Sequence, residues 1–172
     1  LTMKNVVSAA STNGHGLYII GATAAATTID ITGGSFTGAV CGILFPALDA
    51  ATTVTLSGVA AEGKGATEVT DQALRFAGAV AGPVTISGGT YTQATGTTVA
   101  IRFDSTVTAP LTMSDMTATS PNTAIYISSL QAPLAMTNVV AAATASSGAG
   151  LHVYAATAAA TSFDITGGSY TG

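Results

Sequence analysis

Few residues in this chain have side chains that could do chemistry. Four of the 172 residues are Lys or Arg, eight are Asp or Glu, two are His and one is Cys. Arg102 and Asp104 stand two apart, so on a strand they face the same side. Arg75 sits in an equivalent setting, Leu74-Arg75-Phe76 beside Ile101-Arg102-Phe103. This grouping reads as charge compensation on a surface. His15 and His152 have no second His, Cys or acid at ligand spacing, so neither suggests a metal site. Cys41 lies in a Gly-bounded turn with no base in view and reads as a small buried filler. No phosphate-cradling glycine loop, GxSxG elbow or N-x-S/T acceptor occurs. The residues therefore imply no cofactor, no metal and no enzyme.

Composition narrows the classes further. Ala, Thr and Gly make up about half of the chain, and only 7% is charged, against roughly 25% in an ordinary domain. Four basic groups cannot neutralise many phosphates, so nucleic acid is not an expected partner. A single cysteine excludes a disulfide framework. No 18-residue stretch lacks polar residues, so no membrane span is expected.

The informative feature is repetition. A five-residue pattern (apolar, polar or small, apolar, hydroxyl, then Gly, Asn or Asp) occurs at 1–5, 29–33, 54–58, 84–88, 111–115, 134–138 and 163–167, with Lys4 alone breaking the hydroxyl column. The copies start 23 to 30 residues apart, 27 on average. Alternation with period two is a strand with one buried face. The final column is Asn5, Gly33, Gly58, Gly88, Asp115, Asn138 and Gly167. These types tolerate a left-handed backbone, so the column predicts one tight corner per repeat.

A second inward-outward-inward strand follows each first one: 17–19, 43–45, 74–76, 101–103, 125–127 and 151–153. Leu17, Ile43, Leu74, Ile101, Ile125 and Leu151 are expected to form one buried stack. Tyr18, Leu44, Arg75, Arg102, Tyr126 and His152 form its outward column. Tyr and Arg favour interfaces, which makes Tyr18, Arg75, Arg102, Tyr126 and His152 candidate binding residues. Between the two strands lies a third element. There a large residue and a small one swap places, as in Val59/Ala61 against Gly34/Phe36 and Gly89/Tyr91, with bulk expected to balance within each copy. The Ala-rich runs 22–26 and 155–160 are broken by Thr and fall between strands, so they are not expected to be helical.

These columns predict an all-β, parallel β-solenoid of about 27 residues per coil and roughly six to seven coils, a single domain over 1–172 without terminal caps. The sequence resembles right-handed parallel β-helix repeat proteins, most of all the repetitive passenger or shaft regions of large bacterial surface adhesins. The resemblance and the usual crossover preference imply a right-handed coil. A stacked antiparallel sandwich also suits short strands with Gly turns, but not phase-locked columns.

A longer period overlies the first. Residues 17–38 match 151–172 at 15 of 22 positions, and 1–10 match 134–143 at 7 of 10. Coils six and seven thus copy coils one and two, and the chain reads as a window on an array of five-coil, about 134-residue units. Many β-helix families cleave acidic polysaccharides with clustered acids, often with Ca2+ and Arg, so the resemblance also raises an enzyme. However, Asp30 and Asp164 are equivalent positions about 24 Å apart at the strand spacing, too far to act as a pair. The leading expectation is a structural, extracellular or cell-surface solenoid that self-associates along its axis or side by side. A glycan- or protein-binding module using the Tyr/Arg column is the alternative. An ice-binding role, suggested by the Thr-rich outward columns, is weakened by Lys4, Asp30, Ala135 and Asp164.

Overall fold

The computed structural model describes residues 1–20, 26–65, 71–96, 98–157 and 161–172. Residues 22–25 and 158–160 of the two Ala-rich runs lie outside them. The described chain is all-β, with strands that pair one repeat away rather than with their chain neighbours. Sheet I contains Thr2–Lys4, Thr27–Thr32, Thr52–Ser57, Val84–Ser87, Leu111–Ser114, Leu134–Thr137 and Phe163–Thr166. Sheet II contains Val7–Ala9, Ser35–Gly38, Ala60–Gly63, Thr90–Gln93, Thr117–Ser120, Val140–Ala143 and Ser169–Thr171. Sheet III contains Leu17–Tyr18, Ile43–Phe45, Leu74–Phe76, Val99–Val107, Thr123–Leu130 and Ala149–Ala156. Neighbouring strands in all three sheets run parallel, as in Val54↔Val84↔Leu111. The result is a parallel β-solenoid of six coils, plus a further strand of sheets I and II.

Each sheet I strand alternates because every second side chain enters the core. Ile29 and Ile31, Val54 and Leu56, and Val84 and Ile86 are buried, while Thr55 and Thr85 lie on the outer side. The turn into sheet II needs a left-handed residue. Asn5, Gly33, Gly58, Gly88, Asp115, Asn138 and Gly167 all have φ between 51° and 66°. In coils two, four and seven the next residue, Gly34, Gly89 or Gly168, is also left-handed, with φ from 79° to 89°. A Cβ on Gly168 would lie 2.7 Å from the backbone nitrogen of Val139 and nearer still to its carbonyl oxygen. These glycines are therefore fixed by backbone contact with the coil beneath.

That finding changes how the bulky residues are explained. The large side chains of sheet II are balanced between coils: Phe36, Ala61, Tyr91, Ala118, Ala141 and Tyr170 fall in one register. An Ala on a neighbouring coil makes room for each ring, and Phe36 and Tyr91 are fully buried. In sheet III, Phe45, Phe76 and Phe103 stack with centroids 4.9 and 4.6 Å apart and planes within 7°. The stack from Leu17 to Leu151 is in register, but it is continuously buried only from Ile43 to Ile125. Leu17 and Leu151 are half-buried because each lies on a sheet III strand with a neighbour on one side only.

Candidate functional site

The outer face of sheet III carries the candidate binding column. Tyr18, Leu44, Arg75, Arg102, Tyr126 and His152 are mutual partners from coil to coil. Parallel pairing holds equivalent residues directly above one another, about 4.8 Å apart. Leu44 departs from the expected outward exposure: it is only 8% exposed, so the column does not present a continuous surface from Tyr18 to His152.

Its centre is a charge cluster. Arg75 Nε donates to Asp104 Oδ2 at 2.7 Å, and Arg102 Nε donates to Asp104 Oδ1. The three side chains are 15 to 22% exposed. One carboxylate thus takes both guanidiniums through their Nε atoms, and the terminal amino groups are not used in this cluster. The Arg102 guanidinium lies 5.1 Å from the centroid of the Tyr126 ring, within cation–π range. Tyr126 meets His152 edge to face at 5.3 Å, and His152 approaches Tyr154 at 6.4 Å. At the other end, His15 and Tyr18 lie 5.4 Å apart. Burial, and secondarily the Arg75 charge, hold the His15 imidazole below its ordinary pKa.

Tyr154 belongs to this surface, although its place was not drawn from the sequence. It is 73% exposed. The strand continues through Ala156, so Tyr154 shares the outward side with His152. The period-two rule extended by one more pair would have found it. Its counterpart in the first coil is Ile20, also exposed.

The other candidates are placed as follows. Cys41 is buried, its thiol 3.1 Å from the Ile43 carbonyl oxygen, and burial pushes its pKa up to about 12. Asp30 and Asp164 lie on outer sheet I, five coils apart. At the corner, Asn138 donates to Asp115 at 3.0 Å. A groove of about 250 Å³ crosses outer sheet II between Ser35, Thr37, Glu62, Thr90 and Thr92. Among its described lining residues the charged one is Glu62, which pairs with the exposed Lys64 at 3.6 Å. Among the described residues no group of three or more His, Cys, Asp or Glu could hold a metal ion, and no helix is long and apolar enough to cross a membrane. No protein-family model, curated protein or solved structure matches this chain.

Proposed function

We propose that this chain is part of a structural, extracellular β-solenoid, the shaft of a surface adhesin, a filament or a sheath, with no catalytic role. One observation carries the reading. From Thr27–Thr32 to Leu134–Thr137 every sheet I strand pairs in parallel with its equivalents on both neighbouring coils. Ile29, Val54, Val84, Leu111 and Leu134 fill the same core position throughout, so each coil presents to the next the surface that it receives. The five-coil recurrence, in which residues 17–38 match 151–172 at 15 of 22 positions, keeps such stacking in register over a longer rod. Low surface charge supports it too, because little like-charge repulsion separates neighbouring rods.

Sedimentation of the 172-residue chain at micromolar concentration tests this reading. Concentration-dependent association is expected. A monodisperse 16.7 kDa species indifferent to concentration would overturn it.

A further inference from the structure

The turn between sheets II and III of the first coil contains Asn13-Gly14, the one Asn-Gly pair in the chain. Asn13 is exposed and left-handed, with φ 48°. Gly14 is half-buried, and a Cβ there would lie 2.9 Å from the Ala10 Cβ. The Gly14 carbonyl accepts from Val40 N at 3.0 Å, while the Gly14 N–H donates to no backbone carbonyl among the described residues. An exposed carboxamide thus precedes an N–H that no side chain shields and no backbone hydrogen bond engages. The other three asparagines, Asn5, Asn122 and Asn138, precede Val6, Thr123 and Val139, whose β-branched side chains crowd the following N–H. Counting back from Leu151 as from Leu17, the five-coil equivalent of Asn13-Gly14 is Ser147-Gly148. A Cβ on Gly148 would collide with Ala143, the match of Ala10, so space requires the glycine in both turns. The asparagine is not required: Ser147 is not left-handed, and Gly148 N donates to Ala145 O at 3.0 Å.

We propose that Asn13 is a site of spontaneous covalent modification: its side chain closes on Gly14 to a succinimide, which water opens to aspartate or isoaspartate. The Gly14 nitrogen attacks Cγ of Asn13 and gives its proton to solvent. A bond forms between that nitrogen and Cγ, the Cγ–Nδ2 bond breaks, and Nδ2 leaves as ammonia after taking a proton from water. Water then adds to one of the two ring carbonyls. Attack at Cγ restores the main chain and leaves aspartate. Attack at the main-chain carbonyl leaves the backbone running through Cγ, which is isoaspartate. Water is the one co-reactant, and nothing is oxidised or reduced. Either product turns a neutral carboxamide into a carboxylate, and isoaspartate also lengthens the backbone by one atom. That atom falls beside Gly14, which holds Val40, and shortly before Gly16, whose N–H donates to the Cys41 carbonyl at 3.0 Å. Isoaspartate therefore loosens the anchored first-coil turn. The proposal is independent of the shaft reading: assembly is read by sedimentation, modification by mass.

The test is incubation of the folded 172-residue chain at pH 8, followed by peptide mass spectrometry with electron-transfer fragmentation to separate aspartate from isoaspartate. Conversion is expected at Asn13, with Asn5, Asn122 and Asn138 intact over the same period. It should run faster at pH 8 than at pH 6, because attack needs the Gly14 nitrogen deprotonated. Ser147→Asn, at an exposed position, supplies a second Asn-Gly pair whose glycine N–H is engaged. In urea the two pairs should react at the same rate, whereas in the folded chain Asn13 should react severalfold faster. Amide exchange at Val40 should quicken in the isoaspartate form and not in Asn13→Asp, which has the charge without the extra atom. An Asn13 that reacts in urea but stays intact in the folded chain would overturn the proposal. So would conversion of Asn5, Asn122 or Asn138 as fast as that of Asn13, or equal rates for the two Asn-Gly pairs in the folded Ser147→Asn chain. Unchanged Val40 exchange in the isoaspartate form would overturn the loosening of the turn.

Discussion

The side-chain oxygen of Asn138 lies 2.6 Å from the point a Cβ would occupy on Gly167, one coil away. The same relation joins Asn5 to Gly33, five coils earlier. Both residues of each pair are left-handed, so backbone conformation alone would admit Asn or Gly at either place. In these two pairs the Asn side chain fills the gap that the next residue leaves, but its end can turn: Asp115 and Asn138, left-handed on adjacent coils, both carry side chains and are joined by a hydrogen bond of 3.0 Å. Gly58, by contrast, has nothing within 4 Å of its Cβ position. Gly58→Asn should therefore be nearly neutral, while Gly58→Val should cost more than about 1 kcal/mol through its left-handed backbone. Gly33→Asn should turn the Asn5 carboxamide aside and pair with it as Asn138 does with Asp115, so the double-mutant cycle with Asn5→Gly should show coupling. Urea unfolding checks the point, and strict additivity would show that the two residues do not interact.

Tyr91 buries its ring completely, and its hydroxyl has no hydrogen-bond partner. An unsatisfied buried hydroxyl is destabilising, whereas the ring contributes packing. Phe36 fills the same column two coils away, so the site accepts a ring without the oxygen. Tyr91→Phe should hold or raise stability, by up to about 1 kcal/mol. Phe36→Ala should lower it by about 3 kcal/mol or more through the cavity left behind. Thermal unfolding of the two variants gives both numbers; a clear loss with Tyr91→Phe would mean that the hydroxyl is satisfied.

The Cys41 thiol offers a pH-dependent readout of the same core. Burial raises its pKa from 9.0 to about 12. Only the thiolate is nucleophilic, so the folded chain should react with a thiol reagent at pH 8 far more slowly than the urea-unfolded chain. In the unfolded chain the thiol ionises near pH 9, while in the folded chain it keeps its proton. Its contribution to stability is therefore intact below pH 9 and is lost as pH rises toward 12, by about 1.4 kcal/mol per unit within that window. Burial also raises the Tyr91 pKa, which adds to the loss above pH 10. Cys41→Ala should flatten the part of the curve that begins at pH 9.

The coils were legible because a parallel stack forces each position to meet its own equivalent, so every constraint prints as a column. The left-handed corner and the inward pairs of sheet I are visible for that reason. What escaped depends on contacts between different positions. Gly34, Gly89 and Gly168 read as partners in volume to Phe36, Tyr91 and Tyr170, yet their cause is the carbonyl of Val6, Val59 or Val139 beneath them. Leu44 reads as outward and is outward in register, but its burial depends on what surrounds the strand. Of the candidate surface, Arg75, Arg102 and Asp104 were grouped correctly because alternation and the repeat sufficed. Tyr154 was missed because the strand extends beyond its three-residue motif.

Phe76 occupies the middle of the sheet III stack, with Phe45 on one side and Phe103 on the other. Phe103 has a ring on one side only, since its partner on the following coil is Ile127. All three rings are fully buried, so replacing any of them by Leu removes a similar apolar area. What differs is the number of ring–ring contacts, each worth about 0.5–1.5 kcal/mol beyond area burial. Phe76→Leu should therefore destabilise by about 1 kcal/mol more than Phe103→Leu. The Phe76→Leu/Phe103→Leu double variant should be less damaging than the sum of the singles, because the contact between the two rings is counted twice in that sum. Equal costs for the two single variants in urea unfolding would show that shape-filling alone, rather than stacking, fixes the phenylalanines in this column.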